Sequence, residues 1–401
     1  MSKSMTSRER VLLAINHQEP DRVPFDLSLT IGIYSSLRNY LSLPDEPAKK
    51  IGMWTDVSPS LDLLDAMETD FYHLSLNKLP NSLVEKNSLI YDEWGIGRKK
   101  VLRSDGSYYH ELEDMPLAKA TLKKIEEYSW PDPYDPRRIQ GLRKHLSSLC
   151  QHDDKAVMAK LSNSIWEQSW WMYGLQDWMI DLIDKPGVPN ALMKKLTDIA
   201  IGFAEIGIHE IGDRIDILRL SGEDLGTQTG PMISKSLYEE MVKPHFQRYW
   251  TTVRKLLKTK NPAAKIQLHS CGNIRPFISD WIEMGLDILE PIQPNAIGME
   301  PEGLKKDFGE SLTFFGGIDL QRLLPFEDRN SVIEGVKSYM HCLGKGGGYI
   351  VAPAHNVQND VPPENLVAIR DAIRLHGRYP LSSKPGKTCG RLQPSAGQQL
   401  I

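Results

Sequence analysis

The chain has 401 residues, of which 40% are hydrophobic and 25% are charged, so it can bury a sizeable core and is not a disordered protein. Its formal net charge of −4 argues against a nucleic-acid-binding protein, because neutralising phosphates requires a basic surface. The sequence contains no run of about 18 apolar residues, which excludes a membrane-spanning helix.

The length fits either two or three domains or one large α/β barrel with insertions. Residues 1–24 carry charges where a signal peptide needs an apolar core, so we expect a cytoplasmic protein. In a reducing compartment, cysteines that lie far apart in the sequence are not expected to form a disulfide framework. The four cysteines are Cys150, Cys271, Cys342 and Cys389.

Short apolar runs rich in β-forming residues alternate with helical stretches along most of the chain. This alternation predicts βαβ units and a parallel sheet, and eight such runs predict a (β/α)8 TIM barrel that forms a single domain over residues 1–380. The runs are 23–29, 70–76, 156–162, 216–222, 265–270, 287–292, 312–318 and 348–354.

The predicted helices between the later strands carry clear boundary signals. Residues 234–258 begin with a serine cap and contain Pro244, which predicts a kink. Residues 277–285 and 325–344 each end at a glycine, a common helix stop.

Two segments depart from the barrel pattern. Residues 77–150 form an insertion whose alternating stretch with an "SDGS" turn at 104–107 predicts a β-hairpin that caps one barrel end. Residues 381–401 are rich in Pro, Gly, Ser and Gln, which predicts a disordered tail.

Polar side chains follow several of the predicted strands. In a TIM barrel, residues just after each strand line the catalytic mouth. The candidates at these positions are Glu223, Asp224, His269, Cys271, Gln293, Asn295, Asp319, His355, Asn356, Gln358 and Asp360.

His269 and Cys271 could turn toward one point, because alternate residues of a strand share a face. Thiolate and imidazole are good zinc ligands, and His355 could supply a third ligand from the last strand, with Glu223 or Asp224 nearby. Two alternatives remain open. His269 and Cys271 could be packed structural residues, or Cys271 and His355 could form a nucleophilic pair.

The stretch at 164–179 places Trp166, Trp170 and Tyr173 at helical spacing. These aromatic residues predict either a packed helix or a wall that contacts a flat or methylated ligand. The two interpretations are compatible.

Several segments together resemble the uroporphyrinogen decarboxylase superfamily over roughly residues 6–378. They are "TSRERVLLAINHQEPDRVPFD", "GEDLGTQTGPMISKSLYEEMVKP", "LHSCGNI", "FFGGIDLQRLLPF" and "GGGYIVAPAHNVQNDVPPENL". The resemblance implies a (β/α)8 barrel and one of two chemistries: decarboxylation of uroporphyrinogen without a cofactor, or zinc-dependent methyl transfer to or from a corrinoid protein.

The N-terminal sequence departs from the decarboxylase pattern. True decarboxylases carry an arginine-rich motif that grips substrate carboxylates, whereas the corresponding stretch here, "SLTIGIYSSL", has no arginine. The corrinoid methyltransferases carry H-x-C and a distant cysteine near the last strand. His269 and Cys271 match the first two ligands, and His355 stands where the second cysteine would be. Imidazole also binds zinc, so the resemblance favours the methyltransferase branch.

These observations predict a methyltransferase that binds Zn2+ through His269, Cys271 and His355. We expect cobalamin to be carried only by a partner corrinoid protein, because the chain contains no D-x-H-x-x-G motif. The other partner is a small-molecule methyl donor or acceptor, and neither nucleic acid nor a membrane is expected. The predicted catalytic residues are Glu223, Asp224 and Asp319, and the predicted substrate-binding residues are Trp166, Trp170, Tyr173, Gln293 and Asn356.

Two other functions remain open. In a decarboxylase-like lyase, Asp319 or Asp224 would stabilise a protonated pyrrole or a similar cation. In a non-catalytic barrel, the same mouth would bind a ligand without turnover.

Overall fold

The structure is a computed structural model that describes residues 5–51, 56–80, 82–103 and 108–381. The predicted "SDGS" turn, Cys389 and all but the first residue of the predicted tail lie outside these residues. Three of the four cysteines, Cys150, Cys271 and Cys342, are described and are free thiols. No helix in the described ranges is long and apolar enough to cross a membrane.

Strands and helices alternate along most of the described chain. The strands are β1 (Lys49–Lys50), β2 (Val57–Ser58), β3 (Phe71–Ser75), β4 (Val84–Lys86), β5 (Leu89–Tyr91), β6 (Gly97–Leu102), β7 (Tyr108–Asp114), β8 (Ala156–Lys160), β9 (Ile217–Arg219), β10 (Lys265–His269), β11 (Ile288–Ile292), β12 (Thr313–Ile318) and β13 (Tyr349–Pro353). The α-helices are α1 (Ser7–Ala14), α2 (Ile31–Tyr40), α3 (Leu61–Ala66), α4 (Leu122–Glu126), α5 (Leu142–His152), α6 (Trp166–Tyr173), α7 (Leu175–Asp184), α8 (Gly187–Ile211), α9 (Lys235–Leu237), α10 (Lys243–Lys260), α11 (Ile278–Glu283), α12 (Pro301–Phe308), α13 (Leu323–Phe326), α14 (Arg329–Leu343) and α15 (Pro363–His376).

Seven parallel strands form a curved sheet in the order β13-β12-β11-β10-β9-β8-β3. Residues 23–29 occupy the eighth position, between β13 and β3. The amide of Asp26 donates to the carbonyl of Val351 at 3.0 Å, and the amide of Asp70 donates to the carbonyl of Phe25 at 2.9 Å. This segment contains Pro24, which has no N–H to donate, and it pairs with its neighbours only through isolated bridges. The predicted (β/α)8 barrel is confirmed.

Helix α1 closes one end of the barrel. Its Val11, with Ile15 just beyond it, packs against Phe71, Ile217 and other residues at the beginnings of the strands. The carboxyl ends of the strands therefore form the open mouth, where the residues after each strand meet.

The insertion contains more strand than the sequence predicts. Strands β4, β5, β6 and β7 form one antiparallel sheet, and β6 and β7 form the predicted β-hairpin within it. The two short strands at 84–91 pair with each other, and β5 also pairs with β6, which extends the hairpin of β6 and β7. The sheet lies against the helices that follow β8, where Arg98 stacks over the ring of Trp171 at 5.5 Å.

The helical segment after β9 begins at the predicted serine cap. Ser234 Oγ accepts the backbone N–H of Leu237 at 3.2 Å. A π-helical turn at Tyr238–Val242 separates α9 from α10, just before Pro244. Proline cannot donate to a carbonyl one turn earlier, so an irregular turn at this place is expected, and the predicted kink stays a prediction.

Candidate metal centre at the barrel mouth

His269 is the last residue of β10, and Cys271 follows it in a tight turn. Gly272 in this turn has a φ of +79°, and a Cβ there would lie 2.5 Å from the backbone of Gly226. Only glycine fits so close an approach of two loops. The turn brings Cys271 Sγ within 3.5 Å of His269 Nε2.

His355 reaches the same point from the loop after β13. The ring centroids of His269 and His355 lie 5.5 Å apart. One ligand atom from each of His269, Cys271 and His355 lies within 4.8 Å of the other two, and this is the only group of that kind in the part of the chain that the structure describes. The three residues predicted as zinc ligands are thus close enough to share one ion, although their role as ligands stays a prediction.

Two strand residues that the sequence analysis missed hold the His269 ring. Glu290 Oε2 lies 2.8 Å from His269 Nδ1, and Arg219 Nη2 donates to Glu290 Oε2 at 3.0 Å. Burial alone would raise the pKa of Glu290, but the charges of Arg219 and His269 outweigh it and hold this pKa well below its usual range. An ionised Glu290 accepts the Nδ1–H and leaves Nε2 of His269 available for a ligand bond.

The electrostatics of the cluster residues by themselves favour neutral side chains at Cys271 and His355. The pKa of the Cys271 thiol is raised, first by burial and second by the nearby negative charge of Asp224. The pKa of His355 is lowered to about 4, first by burial among surrounding protein atoms and second by His269. A bound cation would favour the thiolate, because it supplies the positive charge that the cluster lacks.

The two acidic candidates after β9 have different environments. Asp224 lies beside the cluster: Oδ1 accepts the backbone N–H of Cys271 at 2.8 Å and lies 3.8 Å from His269 Nε2. The Glu223 carboxylate accepts the N–H groups of Ile165 and Trp166 at 2.6 and 2.7 Å, at the start of α6. Burial raises the pKa of Glu223 to about 8 against these hydrogen bonds. Of the two acids that follow β9, Asp224 contacts the cluster and Glu223 contacts α6.

The remaining polar candidates shape the loops around the cluster. Asp319 Oδ1 accepts from Asn295 Nδ2 at 2.8 Å and from the backbone of Gln321 at 2.7 Å, so its carboxylate is engaged within its own loop region. Gln293 Oε1 accepts the backbone N–H of Gly272 at 2.8 Å and so supports the turn that carries Cys271. The backbone carbonyl of Asn356 accepts Nε2–H of Gln358 at 3.3 Å. Their predicted roles with substrate stay predictions.

The aromatic candidates on α6 belong mainly to the core. Trp166 is 0% exposed and Tyr173 is 1% exposed, so neither has a surface that a substrate could touch. This is a correction to the predicted substrate contacts, because both side chains pack against Trp178 with ring centroids about 6 Å away. Trp166 Nε1 donates to the carbonyl of Asp224 at 2.9 Å and thereby positions the loop beside the cluster. Trp170 is partly buried, and its predicted contact is untested.

The mouth is also lined by charged residues that the sequence analysis did not select. Glu167 in α6 has a pKa raised well above its usual value, first by burial and second by Asp224. A Cβ on Gly222 would lie 2.8 Å from Glu167 Oε2 and 3.3 Å from His269 Cδ2, so this glycine leaves room for the carboxylate beside the imidazole. Lys160 and Arg219 end β8 and β9. A charged residue at the end of an apolar strand run is a sequence signal that could have identified both.

Comparison with known families agrees with this geometry. Residues 111–376 match the sequence profile of the family described as uroporphyrinogen decarboxylase (URO-D). The chain belongs to the uroporphyrinogen decarboxylase family. The superfamily resemblance inferred from the sequence motifs is therefore confirmed. A search of curated proteins found no match.

Solved structures support the barrel of this uroporphyrinogen decarboxylase family member. A methyltransferase from Methanosarcina mazei superposes with a TM-score of 0.65 and 16% identity, covering 92% of this chain and 99% of that chain. At this identity the likeness shows the fold alone. An endoglucanase from Clostridium longisporum matches at 11% identity and a TM-score of 0.42, over 92% of this chain and 98% of that chain. A TM-score this low carries no argument about the site.

Proposed function

We propose that this uroporphyrinogen decarboxylase family member is a zinc-dependent methyltransferase. It moves a methyl group between a small substrate, such as a methoxylated aromatic compound or a thiol, and a corrinoid protein. The observation that carries the proposal is the approach of ligand atoms from His269, Cys271 and His355 to within 4.8 Å of one another at the barrel mouth.

The donor set fits zinc. One thiolate and two imidazoles are ligands that zinc prefers, and three protein ligands are typical of a catalytic site that keeps one position open for water or substrate. The carboxylate of Glu290 at His269 Nδ1 is the outer partner that metal-bound histidines commonly have. His355 has exposed surface, so a small molecule can reach the cluster from the mouth.

The residues around the cluster would prepare its ligands. A bound zinc ion would act as a Lewis acid toward the oxygen or sulfur atom that carries the methyl group. Asp224 Oδ1 accepts the backbone N–H of Cys271 at 2.8 Å and so holds the loop that carries this ligand beside the metal position. Glu290 keeps the proton of His269 on Nδ1, and Arg219 keeps Glu290 ionised.

Two further observations support methyl transfer over other zinc chemistry. The resemblance of "LHSCGNI" and "APAHNVQNDVPPEN" to the corrinoid methyltransferases covers all three ligand positions, with His355 in place of cysteine. A methyltransferase from Methanosarcina mazei shares this fold over the full length of both chains, and we extend its reaction class to this chain only as part of the proposal. The corrinoid partner would dock over the open mouth, because the opposite barrel end is closed by α1.

Metal analysis tests the proposal. We expect purified wild-type protein to contain about one zinc per chain, and Cys271→Ala and His355→Ala to lose most of it, because each removes one of three protein ligands. Cys342→Ala, which changes a thiol on α14, is the matched control and should keep its zinc. Wild-type protein without stoichiometric zinc after growth in zinc-supplemented medium would sink the proposal.

A decarboxylase gives the opposite results in the same experiments. It predicts no requirement for zinc and release of CO2 from uroporphyrinogen by metal-free protein. In the structure, Asp319, one of the two residues predicted to stabilise a cationic intermediate, is engaged with Asn295 and the backbone of Gln321.

A further inference from the structure

Lys160 faces the barrel interior on the side of the mouth formed by β8 and β9. Side chains alternate along a strand, and Ala156 and Met158 of the same strand belong to the interior cluster, so Lys160 points inward as well. Lys160 pairs in register with Arg219, and Arg219 Nη2 lies 3.1 Å from His269 Nδ1. One inward-facing side chain, Arg219, therefore separates Lys160 from the candidate metal centre.

The two cations differ in what they contact. Arg219 is paired with Glu290 at 3.0 Å. Lys160 has no hydrogen bond or ion pair to any residue in the ranges that the structure describes, although its side chain has exposed surface within the mouth. Its ammonium is thus reachable and uncommitted. The pKa of Lys160 is lowered, first by burial and second by Arg219, and Lys78 acts in the same direction.

The nearest acids do not neutralise this cation. Asp56 and Glu167 influence Lys160, but neither lies within 4 Å as an ion pair. The pKa values of Asp56 and Glu167 are both raised, first by burial in each case, so these carboxyl groups resist ionisation. An ammonium group that a ligand can reach and that has no partner in the protein can form a charge-assisted hydrogen bond with a bound anion.

We propose that Lys160 binds a carboxylate of the small-molecule substrate, so that the methyl-bearing part of the same molecule lies toward His269 and Cys271. The substrate class is then a methylated carboxylic acid, such as a methoxybenzoate or a (methylthio)alkanoate. This inference rests on the proposed function for the direction in which the methyl group points, but the carboxylate site itself does not require zinc.

Ligand binding tests the carboxylate site independently of methyl transfer. The probes are three pairs of matched size: 3-methoxybenzoate and its amide, 4-methoxybenzoate and its amide, and (methylthio)acetate and its amide. Dissociation constants are measured by titration calorimetry on zinc-loaded and metal-free protein. We expect at least one carboxylate to bind about tenfold more tightly than its amide. A hydrogen bond between two charged groups is stronger than a hydrogen bond to a neutral amide.

Variants assign the preference to Lys160. Lys160→Met should abolish the carboxylate preference, and Lys160→Arg should retain it within about threefold because the charge is kept. Lys258→Met, on the outer face of α10, is the control and should bind as wild type does. Circular dichroism checks that each variant is folded. If Lys160→Met does not fold, the comparison of Lys160→Arg with wild type replaces it, and a lost carboxylate preference in folded Lys160→Arg protein contradicts the proposal.

Each outcome decides the proposal. If no carboxylate binds more tightly than its amide, or if Lys160→Met keeps the preference, the carboxylate site is refuted. If the preference is present but the protein holds no zinc, the proposed function fails while the carboxylate site stands. If the preference is present and zinc is bound, the tight-binding carboxylate becomes the first substrate to test with a corrinoid protein.

Discussion

The two ends of the barrel use the same kinds of charged residue in different ways. At the closed end, Asp70 is bound by Arg10 at 2.6 Å and by Arg22 at 2.9 Å, and its second oxygen also accepts the backbone N–H of Phe25. Asp216 is bound in a similar way by Arg8 and by the backbone N–H of Val157. Each of these buried carboxylates is fully engaged by groups of the protein itself.

At the mouth, comparable groups keep binding capacity. His269 Nε2, Cys271 Sγ and one nitrogen of His355 approach one another, and Lys160 has no ion-pair partner among the described residues. Polar groups that are engaged within the protein stabilise the fold, whereas groups that converge without a partner are available to a ligand. The comparison indicates that residues at the closed end serve stability and residues at the mouth serve binding.

The largest effect is expected for Cys271→Ala. Loss of the thiolate ligand should abolish stoichiometric zinc and reduce methyl transfer on the order of a thousandfold, since the charge stabilisation at the leaving atom is lost. Metal content and single-turnover rates with a corrinoid acceptor measure this. The unfolding free energy should change little. A large loss of stability would show that Cys271 has a structural role, which contradicts the assignment of the mouth residues to binding.

At the closed end, Asp70→Ala should show the opposite pattern. Removing this fully buried carboxylate leaves Arg10 and Arg22 without their shared partner, which should destabilise the fold by about 3–5 kcal/mol. Urea unfolding followed by circular dichroism measures the loss. Zinc content per folded chain should equal that of wild type. Reduced zinc in folded Asp70→Ala protein would contradict the assignment of this end to stability alone.

A smaller effect is expected for Glu290→Gln, which sharpens the assignment of the mouth. The amide is a weaker acceptor for His269 Nδ1–H and carries no charge to pair with Arg219, so zinc affinity should fall about tenfold to a hundredfold. Competition with a chromophoric chelator gives the affinity. Glu283→Gln, on the outer helix α11, is the control. If Glu290→Gln protein binds zinc as tightly as wild type does, Glu290 does not support the metal centre.

The smallest effect concerns pH. The hydrogen bond from Arg38 lowers the pKa of Asp62 from 3.8 to about 2. A lowered pKa contributes stability that is present above pH 3.8 and is lost as pH falls through about 2. Asp62 is partly exposed, so the contribution is at most about 1 kcal/mol. Asp62→Asn should therefore lower the unfolding free energy above pH 4 by at most about 1 kcal/mol and flatten its pH dependence between pH 4 and 2. If the unfolding free energy of Asp62→Asn protein follows the wild-type values between pH 4 and 2, the Arg38–Asp62 ion pair contributes nothing to stability.

The strand residues show how far sequence reasoning reaches. The apolar runs predict eight barrel positions because each buried strand must be apolar on its outer face, which packs against the helices. The same rule does not identify Arg219 and Glu290 as site residues, because each lies within an apolar run that predicts a strand. In the folded barrel, both side chains contact His269 at the mouth. The first position was predicted as a strand and is only partly paired, because Pro24 limits its hydrogen bonding.

The aromatic residues of α6 show the opposite limit. Their helical spacing was compatible both with a packed face and with a ligand wall, and only the neighbouring Trp178 decides that Trp166 and Tyr173 are buried. Likewise, the sequence could not separate Glu223 from Asp224, since adjacent residues point in different directions only once the chain is folded. The positions of the α6 amides turn Glu223 to the helix and leave Asp224 beside Cys271.

The sequence by itself determined the alternation of strands and helices and the three residues of the candidate metal centre. Both follow from local rules: apolar periodicity, and side chains of known ligand chemistry at strand ends. The tertiary structure alone decided which polar groups are engaged and which are open, because partners such as Glu290 for His269 and Trp166 for Asp224 come from distant parts of the chain. That distinction depends on distances of about 3 Å between side chains, which no spacing along the sequence specifies.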